Sequence, residues 1–103
     1  MYLVQILLPL YDNEGTALPK LEFRRVSSEL AHRFRGLTAH TLAPAEGIWT
    51  QSEDAHQTHD EIVIFEVMTE MLDRDWWSEY RLELERRFRQ REIVVRAQTI
   101  EQL

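Results

Sequence analysis

Residues 2–8, YLVQILL, are apolar on both faces of the strand they would form. Strand side chains alternate, so Tyr2, Val4, Ile6 and Leu8 share one face while Leu3, Gln5 and Leu7 share the other. Such a segment needs cover on two sides, which predicts a central strand. This requirement narrows the fold more than any other feature. Residues 61–69, EIVIFEVMT, form the strongest strand signal in the chain. There Val63, Phe65 and Val67 oppose Ile62, Ile64, Glu66 and Met68.

The intervening pattern changes period. Pro9 cannot donate to a ladder, so the first strand ends or bulges there, and YDNEG reads as a turn. A helix is predicted from Pro19 to Arg35, with Phe23, Val26, Leu30 and Phe34 as its apolar stripe. Pro19 suits the first helical position and Gly36 a left-handed cap. A strand over 37–44, LTAHTLAP, and a polar loop follow. Asp73 reads as the N-cap of a second helix whose stripe is Trp77, Tyr80, Leu84 and Phe88. On its wet side, Glu83–Arg87 and Glu85–Arg89 are spaced for i,i+4 pairs. The last strand spans 92–100. The order β-α-β-β-α-β predicts one α+β domain over residues 1–103, a ferredoxin-like βαββαβ fold. Its four-stranded antiparallel sheet would run in the order 4-1-3-2, with two helices on one face.

Composition excludes several classes. The 103 residues contain no cysteine, which removes disulfides and thiolate chemistry. A net charge of −6 with no basic arm argues against nucleic-acid binding. Arg86, Arg87, Arg89 and Arg91 read as cations complementing a helix C-terminus. No apolar run reaches the length of a membrane span, and no leader pattern opens the chain, so a cytoplasmic protein is expected.

Two helices cover one sheet face. The other would carry Leu3, Leu7, Leu42, Ile62, Ile64, Met68 and Val94, too apolar to stay in water. A homodimer through this face is therefore expected. Its polar members include Gln5, His40, Glu66 and Arg96. Gln5, Glu66 and Arg96 fall on neighbouring strands at similar heights. A charge-assisted Glu66–Arg96 pair inside an interface accounts for them. Alternatively they end a small-molecule pocket in which His40 or Glu66 acts as acid or base and Arg96 assists, with Gln5, Trp49 and Trp76 at the pocket or interface. His56 and His59 have a loosely metal-like spacing that solvated loop residues explain, so neither a metal nor a cofactor is expected.

Trp76 and Trp77 lie about 100° apart on the helix, so only one can be central to the core. The stripe selects Trp77 and leaves Trp76 for the rim, an interface or a pocket wall.

The segments QILLPLYDNEG, GLTAHTLAPAEGIW, DEIVIFEVM and WWSEYRLELERRFRQREIVVRA resemble small bacterial ferredoxin-like proteins of unknown function. The matching features are Gly36 and Thr38, Gly47 and Trp49, and Phe88 and Gln90. The resemblance implies the fold and no catalytic residue. Three functions stay open: a homodimer without its own catalysis, a cofactor-free dimeric α+β barrel enzyme of monooxygenase or isomerase type acting on a small apolar substrate, and a small-ligand or partner-binding module.

Overall fold

A computed structural model describes residues 1–42 and 61–103, with backbone alone for 37–42. Its elements are β1 (Tyr2–Pro9), α1 (Lys20–Arg33), β2 (Leu37–Leu42), β3 (Ile62–Thr69), α2 (Arg74–Arg87) and β4 (Val94–Thr99). The domain is a mixed α+β unit, with two helices packed on an antiparallel sheet. In that sheet β1 lies between β3 and β4, and β2 runs along the far side of β3.

Register follows from the two-faced strands. Val4 pairs with Val67 and Ile6 with Phe65 across β1 and β3, and Ile6 meets Val95 on β4. These positions share parity, so their side chains form one layer beneath the helices. Val26 and Leu30 of α1 and Trp77, Tyr80 and Leu84 of α2 close the layer, with Phe88 and Ile93. A slip of one residue would turn this whole set out of the core.

Helix ends depart from expectation at instructive points. Helix α1 begins at Lys20, because Pro19 is extended (ψ 137°) and serves as its N-cap without a side-chain bond. It stops at Arg33, where Phe34 turns extended while still donating its N–H to Leu30 O at 2.8 Å. That turn lays the Phe34 ring against Trp77. Gly36 does not adopt the expected left-handed conformation.

At α2, Asp73 caps as predicted, its Oδ1 accepting from Trp76 N at 3.1 Å. The left-handed residue at the other end is Arg89, with φ of 52°. Gln90 N donates to Glu85 O at 2.9 Å and Arg89 N to Arg86 O at 3.3 Å, which is a Schellman closure. Arg89 thus leaves the helical path, and Glu85 cannot pair with it at i+4. Instead Glu85 accepts from Arg81 Nη1 at 3.1 Å and from Ile93 N at 2.9 Å. The second bond satisfies a backbone donor just before β4, so the strand starts at Val94 rather than Glu92.

A left-handed arginine is strained where glycine is not. Arg89→Gly is therefore expected to stabilise the domain by about 0.5–1 kcal/mol. The lost contact, Arg89 Nη1 to Asp12 at 3.9 Å on an exposed side chain, is worth little. The Asn13 amide donates to the Arg89 backbone oxygen and is retained. A lower urea midpoint for the variant would contradict this account.

Candidate functional site

The open sheet face is ordered in rows. Backbone register places Met68, Leu3 and Gln98 side by side, then Glu66, Gln5 and Arg96, then Ile64, Leu7 and Val94. The middle row is polar between two mostly apolar ones.

Glu66 and Arg96 sit on opposite flanks of β1, about 10 Å apart at two strand spacings. The expected direct charge pair is replaced by a relay. Arg96 Nε donates to Gln5 Oε1 at 2.7 Å, and Gln5 Nε2 donates to Glu66 Oε2 at 2.8 Å. The chemistry dictates the amide orientation, since a guanidinium only donates and a carboxylate only accepts. Gln5 is thus the one side chain of its size that can serve both neighbours at once. His40 lies on β2 with its backbone opposite Ile64, while Thr38 stands opposite Glu66. Register therefore puts His40 one row away from the relay. Trp49, His56 and His59 lie outside the described residues.

Trp76 is met by its own chain. It stacks on Tyr80 at 4.8 Å, meets Phe34 and Trp77 edge-on at 5.6 and 4.8 Å, and lies under the Arg33 guanidinium at 4.1 Å. The arginine supplies a cation over the ring face. This assigns Trp76 to the rim of the core.

Arg87 lies in the last turn of α2, as the reading of the arginine cluster expects, and it also enters an ion-pair cluster. Its side chain is only 11% exposed and is held by Glu22 at 3.1 Å, Glu29 at 2.8 Å and Glu83 at 3.3 Å. Tyr80 Oη donates to the same Glu29 oxygen at 2.9 Å. Burial alone would weaken the proton affinity of Arg87, yet its bonds to Glu29 and Glu22 raise it above the ordinary value. For Glu22, burial pushes the carboxyl up, but the hydrogen bond from Arg87 and the charges of Arg25 and Arg87 leave it lowered. Burial, then the bond to Glu29 and its charge, push the Tyr80 hydroxyl well above its normal range. The cluster ties α1 to α2.

A groove of about 240 Å³ opens between α2 and β4, on the helix side of the sheet. Val4, Leu72, Trp77, Val95 and Ala97 make its apolar lining, and Arg74, Arg81 and Arg96 bring charge. It is not the open-face cavity that the enzymatic alternative requires. Arg74 and Arg81 escaped the sequence reading because their relation to β4 depends on how α2 lies over the sheet edge. Among the described residues, no three His, Asp or Glu side chains gather as a metal site, and no helix is long and apolar enough to cross a membrane.

These features define a mixed α+β domain with a relay on one face and a cationic groove on the other. No protein-family model, curated protein or solved structure matches the chain.

Proposed function

We propose that this chain is a ferredoxin-like βαββαβ domain that works as a homodimer, two copies pairing through their open sheet faces. The backbone pairing order β2-β3-β1-β4 supports the fold. The exposed apolar surface carries the dimer reading. Met68 and Val94 are each 45% exposed, and Leu3, Leu7 and Ile62 are half-buried around them. Burying apolar surface of this kind contributes about 25 cal/mol per Å². The relay row supplies orientation. With a two-fold axis along β1, the cationic end of one row lies over the anionic end of the other, a self-complementary contact. Like-charged ends would meet if the axis ran along the row, so the row disfavours that arrangement.

Sedimentation velocity at micromolar concentration is expected to show a dimer. Met68→Glu and Val94→Glu together place two charges in the contact and are expected to give a folded monomer with unchanged helical circular dichroism. A strictly monomeric parent protein at that concentration would sink the proposal.

A further inference from the structure

We propose that the groove between α2 and β4 binds a small organic acid, a carboxylate carried on an apolar body of about eight carbons. Its charge is the first argument. The chain has 18 acidic residues against 12 Lys and Arg, yet three arginines and no acid line this groove. Two of the arginines are partly engaged. Arg81 holds Glu85 at 3.1 Å, and Arg96 gives its Nε to Gln5 at 2.7 Å.

Arg74 is different. Its side chain makes no hydrogen bond or ion pair among the described residues. It also occupies the first turn of α2, where the helix dipole disfavours a cation. An anion in the groove offsets that dipole cost and meets a guanidinium that no described residue holds. A guanidinium meets a carboxylate through two parallel N–H bonds, which fixes the ligand head against Arg74.

The lining sets the rest of the ligand. Leu72, Val95 and Ala97 present hydrocarbon beside the Trp77 ring, so the body is apolar. The volume of about 240 Å³ lies just under the usual range for drug-sized ligands and accommodates a medium-chain acid. One arginine with no side-chain partner among the described residues matches a single negative charge better than a phosphate dianion. The site shares only Arg96 with the open-face row, and the variants Arg74→Gln and Ala97→Leu leave that row untouched. Failure of either proposal leaves the other standing.

Isothermal titration calorimetry on the intact chain tests this with octanoate, 1-octanol, octylammonium and inorganic phosphate as probes. Octanoate is expected to bind at least about tenfold more tightly than the other three, the scale of one charge-assisted contact. Arg74→Gln is expected to remove about tenfold of octanoate affinity while leaving octanol unchanged. Ala97→Leu fills the groove and is expected to abolish octanoate binding. Arg74 and Ala97 are both exposed, and circular dichroism checks that each variant folds. Equal binding of octanoate and octanol, phosphate binding as tightly as octanoate, full affinity in Arg74→Gln, or no octanoate binding at millimolar concentration would each overturn the proposal.

Discussion

Trp77→Ala is expected to destabilise the domain by about 3–5 kcal/mol. The ring is only 6% exposed. It stacks on Phe34 at 5.3 Å with an interplanar angle of 13°, and meets Trp76 and Tyr80 edge-on at 4.8 and 6.2 Å. Truncation therefore removes a large transfer contribution and also leaves a void lined by three aromatic rings that cannot all collapse inward. Phe34 suffers most, because it leaves the helix in an extended conformation whose ring rests on Trp77. Trp76→Ala provides the internal comparison. That ring is half-buried at the rim, and its loss is expected to cost about 1–2 kcal/mol. Urea unfolding with both variants decides the matter. A Trp77→Ala loss under about 1 kcal/mol, or a larger loss for Trp76→Ala, would show that the helical stripe was assigned to the wrong face.

The residues that could be read from the sequence are those whose neighbours are local or fixed by parity. Val4, Ile6, Phe65 and Val67 alternate within their own strands, and Trp77, Tyr80, Leu84 and Phe88 recur within one helix, so each segment declares its buried side. Asp73 was legible for the same reason, since its bond reaches only three residues ahead. Helix ends were harder. Gly36 looks like a left-handed cap and Arg89 does not, yet Arg89 takes that role. Tertiary contacts chose between them. Phe34 is drawn out of the helix by the tryptophans, while the turn at Arg89 is held by Asn13 and by Gln90, whose amide donates to Tyr11 O at 3.1 Å.

The same distinction separates the visible part of the site from the hidden part. Parity alone puts Gln5, Glu66 and Arg96 on one face, and register then aligns them. The expected strand order already set Gln5 of β1 between the two charges; the amide bonds to both neighbours, in place of a direct pair, are what that order did not show. The groove arginines and the Arg87 cluster depend on the angle and distance between elements far apart in sequence. Glu22 and Arg87 are 65 positions apart, and no periodicity joins them.

Arg87→Met is expected to cost about 2–3 kcal/mol, below the range for breaking a fully buried ion pair, because its three acids are partly solvated. The loss comes mainly from what remains. Glu22, Glu29 and Glu83 converge on the position of one guanidinium, and without it three carboxylates repel across the α1–α2 contact. Neutralising the two inter-helix acids as well, with Glu22→Gln and Glu29→Gln, is expected to recover most of the loss, since only Glu83, whose side chain is about half exposed, then keeps a charge without its partner. The pH dependence follows from the same contacts. The Glu22 carboxyl is lowered in the fold, so its contribution is present above its ordinary value of 4.5 and is lost as pH falls below it. The Tyr80 hydroxyl is raised, so its contribution is present below its ordinary value of 10.0 and is lost as pH rises above it. Unfolding free energy should therefore decline at both ends. Arg87→Met should flatten the acid limb, because Glu22 loses the bond that lowers it, and Tyr80→Phe should flatten the alkaline limb. An acid limb as steep in Arg87→Met as in the parent would mean that Arg87 does not hold Glu22 ionised.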